Sequence, residues 1–231
     1  MQDTTHSSFS EVLFSEQDQK TLEQIMRLRR DVRGNRFTSQ DVSNKDLEKI
    51  LDAGLMAPSV GFSQPWRFVI IREAKTKLAV ADIFSQQNAL AADKFADTRR
   101  SHYQQLKLEG IKEAPINIAV FYQASPSPVL GQNSMPEVGT YSVVCAIQNM
   151  WLMARALNLG MGWVSIIDPR QVAGILGAGS DQQLVAYLCL GHVDGFYAQP
   201  ELERLNWEQR KEREQVIFNE QLNAPEQDAS I

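Results

Sequence analysis

Residues 141–160, YSVVCAIQNMWLMARALNLG, constrain the fold most strongly, because they are apolar on almost every side of a helix. A helix with this pattern has to be covered all around, at the centre of a protein or in a contact between two copies. Gln148, Asn149 and Arg155 interrupt the run, which argues against a membrane span. We therefore expect a helix that is buried centrally or in a dimer contact.

Two helix starts precede the first strand. Ser15 is predicted to cap one helix, and Ser43 is predicted to open a second through a capping box with Asp46. The second helix is expected to stop before Pro58, because the residue preceding a proline disfavours helical backbone. The expected inward stripe of the first helix consists of Leu22, Ile25 and Met26. Later in the chain, Asp168 is predicted to cap a short helix at 168–177, with Pro169 at its first position.

Four short apolar runs predict strands, at 66–72, 116–122, 163–167 and 184–191. Helices and strands follow one another without strict alternation, which favours the α+β class. The organisation expected is a flexible leader (1–14), a single domain (15–222) and a flexible tail (223–231).

Composition excludes several functional classes. A net charge of −5 and a pI near 5.3 are unlike a general nucleic-acid or anionic-membrane surface. Cys145 and Cys189 lie in apolar runs and are predicted to be buried thiols of a reduced compartment. Scattered histidines and the lack of a CxxC pair predict that there is no metal site. The first residues lack the order of a signal peptide, so we expect a cytoplasmic protein.

A basic cluster lies at 29–37, RRDVRGNRF, in an otherwise acidic chain. One interpretation is a solvated helix end, where the helix dipole favours cations. The other is a phosphate site, because guanidinium groups bind phosphate through paired hydrogen bonds. The residues alone leave both open.

Three further stretches also have two interpretations each. APSVGFSQPW (57–66) is either an ordinary loop or a loop whose Gly61 lets backbone approach a flat ligand. RRSHYQQLKLEGI (99–111) is either a solvated helix or part of a cover over a site. In GMGWVSI (160–166) the glycines could simply end the preceding helix, and Ser165 could simply satisfy a neighbouring backbone group.

Together and in this order, RRDVR, APSVGFSQPWRF, LKLEGI, YSVVCAIQNMWLMARALNLGMGWVSI and LCLG resemble the nitroreductase-like flavoprotein superfamily. More narrowly, they resemble the 5,6-dimethylbenzimidazole synthase family, which makes the lower ligand of vitamin B12. The narrower resemblance depends on Asp31, where ordinary nitroreductases commonly have serine, and on LKLEGI and GWVSI. It extends from about Leu22 to Phe218.

This resemblance implies a central mixed β-sheet flanked by helices, in an intertwined homodimer with its sites at the interface. Helix 141–158 and the C-terminal arm 205–222 would form the contact between the copies.

The resemblance also implies a site for flavin mononucleotide (FMN). Asp31 and Ser165 would transfer protons, and the backbone N–H of Gly61 would stabilise negative charge that develops on oxygen. Arg99 and Leu108 resemble positions in a lid that excludes water. The complete set of expected cofactor-binding residues is Arg29, Arg30, Asp31, Val32, Arg33, Pro58, Ser59, Gly61, Gln64, Arg99, Leu108 and Ser165.

The implied reaction consumes reduced FMN as a substrate, with molecular oxygen, and forms 5,6-dimethylbenzimidazole and erythrose 4-phosphate. A separate flavin reductase would supply the reduced FMN. One alternative is an FMN-dependent nitroreductase or NAD(P)H:flavin oxidoreductase, which retains its flavin. Another is a non-catalytic flavin-binding protein.

Overall fold

The computed structural model describes residues 12–222. Most of the predicted leader (1–14) and all of the predicted tail (223–231) therefore lie outside the described residues. These residues fall into two compact units, of which the second begins at Tyr197. The expectation of a single domain over 15–222 stays a prediction.

The first unit contains both helices and strands, which confirms the α+β class. Its helices are α1 (Glu16–Leu28), α2 (Asn44–Leu55), α3 (Ala74–Ala92), α4 (Asp97–Gln105), α5 (Val138–Ala156) and α6 (Pro169–Ile175). Its strands are β1 (Trp66–Ile71), β2 (Ile116–Gln123), β3 (Gly160–Val164) and β4 (Gln182–Gly191).

The strands form one sheet in the order β1-β2-β4-β3. Each neighbouring pair of these strands is antiparallel, which differs from the mixed sheet expected. Among the described residues, parallel pairing is restricted to an isolated bridge between Asp31 and Met161. The parallel element is therefore the chain just after α1, which is too short to form a strand of its own.

Helices cover both faces of the sheet. On one face, α5 and α2 pack through Ile147, Met150 and Ile50 against alternate residues of β2 such as Ile118. On the other face, α3 and α6 contribute a second apolar cluster, which includes Val80, Phe84 and Val172. Strand β2 is therefore buried on both sides along most of its length.

The predicted helix starts are confirmed. Ser15 caps α1 in a capping box with Asp18, and Ser43 caps α2 while its hydroxyl contacts the Asp46 carboxylate. Asp168 caps α6, where Pro169 occupies the first helical position. These caps agree with the sequence because each is a contact between residues close in the chain.

The central helix α5 is buried on one face and exposed on the other in one chain, and its part in a dimer contact stays a prediction. Tyr141, Val144 and Cys145 are exposed along one face, so the expectation that Cys145 is buried is wrong for the single chain. Cys189, in β4, is buried as predicted. The predicted inward stripe of α1 is also largely exposed, at Leu22 and Met26. No helix within 12–222 is long and apolar enough to cross a membrane.

Strand β3 lies three residues earlier than predicted, at Gly160–Val164 rather than 163–167. It pairs with β4 from Gly160 opposite Gly191 to Val164 opposite Tyr187. The prediction followed apolar side chains and therefore began too late, because Gly160 and Gly162 at the start of the strand have no side chain. Ser165 therefore lies just beyond the strand and is exposed.

The second unit contains a short helix, α7 (Glu201–Arg204). The guanidinium carbon of Arg204 lies 4.2 Å from the centre of the Tyr197 ring. Most residues from 208 to 222 are exposed. The contribution of the arm 205–222 to a dimer contact stays a prediction.

Candidate active site

The segment that follows α1 lies along β3. The N–H of Val32 donates to the carbonyl oxygen of Met161 at 3.0 Å, next to the parallel bridge between Asp31 and Met161. A Cβ atom added at Gly162 would overlap the carbonyl oxygen of Val32. Glycine at 162 is therefore what lets the two backbones come together.

Trp163 and Arg33 hold the Asp31 carboxylate. Its Oδ1 atom accepts a hydrogen bond of 3.0 Å from the N–H of Trp163, and its Oδ2 atom forms an ion pair with Arg33. About a third of its side chain (34%) is exposed. The carboxylate is thus fixed in position and still open on one side.

Arg33 connects three elements. Besides Asp31, its guanidinium Nη1 donates to the carbonyl oxygens of Leu108, at 3.1 Å, and Trp163, at 3.2 Å. Its side chain is only 13% exposed. A phosphate contact for Arg33 stays a prediction, and here its hydrogen bonds go to protein groups.

Arg29 and Arg30 flank this segment, beside two tryptophans. The guanidinium carbon of Arg29 lies 4.9 Å from the centre of the Trp151 ring, which lies 6.4 Å from the ring of Trp163. The Trp151 Nε1 atom donates to the carbonyl oxygen of Arg30 at 3.2 Å. Both arginines are half-buried, so the cluster is more than a solvated helix end.

The loop with Pro58, Ser59, Gly61 and Gln64 docks elsewhere on the molecule. The N–H of Val60 donates to Ser142 Oγ, in the first turns of α5, at 3.1 Å. The Ser59 hydroxyl accepts from the N–H of Gln64 at 3.0 Å. Gly61 has a φ of 53°, and a Cβ there would lie 2.7 Å from the Leu130 carbonyl oxygen, so glycine is required.

The loop and the Asp31 segment are attached to different parts of α5. The loop binds at Ser142, whereas the end of α1 binds at Trp151 and at Arg155, whose Nε donates to the Leu28 carbonyl oxygen at 3.0 Å. At about 1.5 Å per residue, Ser142 and Trp151 are about 13 Å apart along the helix axis. The two halves of the predicted site are thus set apart within one chain.

The expected lid contains α4. Within α4, Tyr103 is buried; its hydroxyl donates to Asn88 Oδ1 at 2.7 Å, and its ring lies 5.0 Å from that of Phe95. Arg99 is exposed on α4. Leu108 follows the helix and is joined to the site through its carbonyl oxygen, which binds Arg33.

Residues 26–192 match the model of the nitroreductase family. The chain belongs to the nitroreductase family.

Curated relatives in this family support the narrower resemblance. The chain is 40% identical over 201 residues to the 5,6-dimethylbenzimidazole synthase of Rhodospirillum rubrum, a match covering 86% of this chain and 94% of that protein. It is 35% identical over 198 residues to the protein of the same name from Rhodobacter capsulatus, covering 85% of this chain and 95% of that one. The predicted resemblance is confirmed, and the chain is an enzyme of this flavoprotein family.

Solved structures have the same fold. Iodotyrosine deiodinase, determined with FMN and 3-iodo-L-tyrosine, superposes with a TM-score of 0.68 at 22% identity, covering 87% of this chain and 98% of that one. A BluB-like flavoprotein from Clostridium difficile gives a TM-score of 0.64 at 22% identity, covering 86% of this chain and 98% of that one.

Sequence reasoning missed several groups that form the site. The structure brings together Asp31, Val32, Arg33 and the carbonyl of Leu108, as expected, but the partners that hold them are backbone atoms of Met161 and Trp163. A backbone donor leaves no signal in a sequence.

Proposed function

We propose that the protein is a 5,6-dimethylbenzimidazole synthase, which uses molecular oxygen to fragment reduced FMN into 5,6-dimethylbenzimidazole and erythrose 4-phosphate. Reduced FMN supplies the electrons for oxygen and the atoms of both products, and the rest of its ring system leaves as a separate fragment. The observation that carries the proposal is the fixed, partly exposed carboxylate of Asp31. Relatives of that name at 40% and 35% identity support it.

Asp31 is suited to accept a proton. Trp163 and Arg33 hold its two oxygens, and 34% of the side chain is exposed, so a proton donor can reach the carboxylate from outside. The adjacent guanidinium favours the ionised form of the carboxyl group. Ser165, two residues beyond Trp163 and exposed, is proposed to complete the proton path at the same edge of β3.

FMN matches the charge and shape of this region. Arg29 and Arg30 provide cationic groups for its phosphate. The aromatic pair Trp151 and Trp163 lies beside Arg29. Leu108 and the exposed Arg99 are proposed to close over the ring as a lid that excludes water.

The complete site is proposed to need two copies of the chain. The loop that contains Pro58, Ser59, Gly61 and Gln64 docks at Ser142 of α5. The Asp31 segment docks at Trp151, about 13 Å further along the helix axis. A second copy packed on the exposed face of α5 would bring the loop of one chain to the Asp31 of the other. There the Gly61 N–H would stabilise negative charge that develops on oxygen.

The proposed setting is the cytoplasm, with reduced FMN provided by a separate flavin reductase. The buried thiol of Cys189 suits a reducing compartment.

The deciding experiment mixes the protein with reduced FMN in air and separates the products by chromatography. We expect loss of FMN with formation of 5,6-dimethylbenzimidazole. Quantitative recovery of intact oxidised FMN would refute the proposal. If NADH were then consumed with a nitro-aromatic acceptor, the protein would be an FMN-dependent nitroreductase, the second candidate, whose fold it shares.

A further inference from the structure

The segment LKLEGI, 106–111, has no part in the proton transfers proposed above, yet it lies against the Asp31 segment. The Leu108 carbonyl oxygen accepts from Arg33 Nη1 at 3.1 Å, and the Glu109 carbonyl oxygen accepts from the N–H of Gly34 at 2.8 Å. Strand β3 binds the opposite side of the Asp31 segment, through Met161 and Trp163. Residues 31–34 are therefore held from two sides.

Close packing on the LKLEGI side depends on glycine. A Cβ atom at Gly110 would lie 2.7 Å from the Phe37 ring and 3.1 Å from the backbone nitrogen of Gly34. A Cβ at Gly34 would lie 2.7 Å from the Glu113 carboxylate. The two segments are thus in direct contact, and a change in the shape of one is transmitted to the other.

The side chain of Glu109 fixes the shape of this turn. It is only 8% exposed, and both carboxylate oxygens are used within the turn. Oε1 accepts from Lys107 Nζ at 2.5 Å, and Oε2 accepts from the N–H of Ile111 at 2.7 Å. A buried carboxylate is tolerated only when it is paired in this way, so the turn and the ion pair depend on each other.

Lys107 is held in its charged form. Burial lowers the pKa of its amino group, but the hydrogen bonds and the charge attraction of Glu109 and Glu113 together outweigh burial, so the pKa is raised above its ordinary value. The Glu113 carboxylate lies 3.1 Å from the same Lys107 Nζ. Glu113 therefore shares the lysine with Glu109 from the far side of the turn.

We propose that Glu109 is a positioning residue for Asp31. Its carboxylate sets the turn at 107–111, the Leu108 carbonyl then sets the Arg33 guanidinium, and Arg33 sets Oδ2 of Asp31. The catalytic part of this inference rests on the proposed function, because Asp31 is assigned its proton transfer there. The structural part concerns the protein without flavin and does not depend on the proposed reaction.

The structural part is tested on the protein without flavin, by amide hydrogen exchange. Glu109→Gln keeps the size of the side chain but loses the charge that binds Lys107 and Ile111 together. We expect exchange at Gly34 and Trp163 to rise about tenfold relative to Ala119 in the central strand β2. The ratio to Ala119 removes any general loss of stability.

Glu113→Gln is the matched control, since it removes a charge from the same lysine and leaves both acceptor oxygens of Glu109 in place. Its exchange ratios should stay within about twofold of the unaltered protein. Unchanged ratios in Glu109→Gln, or equal changes in both variants, would overturn the proposal. If Glu109→Gln does not fold, Arg33→Lys is used instead, because it disrupts the contact between Arg33 and Asp31. The exchange rate at Trp163 relative to Ala119 then has to rise.

The catalytic part is tested by the products of one turnover with reduced FMN and air. A misplaced catalytic group can cost about a hundredfold, so Glu109→Gln should lower the yield of 5,6-dimethylbenzimidazole at least tenfold and release intact FMN. Adding Glu109→Gln to Asp31→Asn should cause no further loss, because both act through one carboxylate. If the unaltered protein makes no benzimidazole, the proposed function fails, while the exchange ratios still decide the positioning role.

Discussion

Replacement of Asp31 by asparagine separates the structural from the chemical role of this side chain. In the native site, one oxygen accepts from the Trp163 N–H and the other pairs with Arg33. The asparagine amide offers one oxygen and one NH₂ group. Whichever way the amide is turned, an N–H donor faces another donor, and the charge-assisted pair is lost.

The structural cost of this change is small compared with its chemical cost. Losing a hydrogen bond to a charged group destabilises a protein by about 1.5–3 kcal/mol, within a typical total of about 5–15 kcal/mol. The variant should therefore fold and bind reduced FMN. Loss of a general base lowers a rate by about 10²–10⁴, so benzimidazole formation should nearly vanish.

The assay is a single turnover of reduced FMN in air, with the products separated by chromatography and the folding free energy measured by urea. Asp194→Asn is the control, because Asp194 forms a similar pair with Arg36 at 3.0 Å outside the candidate site. Asp194→Asn should lose no more folding free energy than Asp31→Asn does, and should form as much benzimidazole as the unaltered protein. Near-normal benzimidazole from Asp31→Asn would show that the carboxylate is only a counter-charge for Arg33.

Three further predictions concern the phosphate, the dimer and pH. Arg30→Ala should weaken FMN binding by about 1.5–3 kcal/mol and riboflavin binding much less, as measured by calorimetry. Arg36→Ala is the control. Equal losses for both ligands would contradict a phosphate contact. The protein should sediment as a dimer at micromolar concentration, and Val144→Glu, on the exposed face of α5, should give monomers, whereas Leu78→Glu on α3 should not. Burial raises the pKa of the Cys189 thiol above its ordinary value of 9.0. Above pH 9 the unfolded chain therefore loses this proton while the folded chain keeps it. The free energy of unfolding should then fall by up to about 1.4 kcal/mol per pH unit. Cys189→Ala should reduce this slope in urea titrations, and an unchanged slope would exclude the thiol as its source.

The sequence predicts the local features of this fold well. The starts of α1, α2 and α6 follow from Ser15, Ser43 and Asp168, because a cap depends on residues within one turn. The end of α2 follows from Pro58 for a similar reason. Strand β3 is displaced because its place is decided by pairing with β4, which lies some twenty residues further along the chain.

Burial on α5 shows a second limit of sequence reasoning. An apolar stripe indicates that a surface has to be covered, but not whether the cover comes from the same chain. Residues such as Val143 and Met150 are covered by the chain itself, whereas Val144 and Cys145 are exposed in it. The predicted burial of Cys145 is wrong for the single chain because of this ambiguity.

The roles of the predicted site residues stay predictions, and the structure adds main-chain contacts that the sequence does not indicate. Asp31 and Arg33 are recognisable as an unusual pair, but their partners at Trp163 and Leu108 are main-chain atoms far away in the chain. Gly162 indicates a close approach of backbone but does not identify the partner, so only the folded structure shows these contacts.

The bond between Asp31 and Trp163 has an evolutionary consequence, because its donor is the main-chain N–H of Trp163. Any amino acid except proline has this donor, so related enzymes can replace the tryptophan and keep the bond. What they cannot change freely is the alignment of β3 with β4, in which Trp163 lies opposite Leu188. A slip of one residue would turn this N–H to the other side of the strand. Insertions and deletions in the connections around β3 should therefore be selected against more strongly than substitutions at position 163.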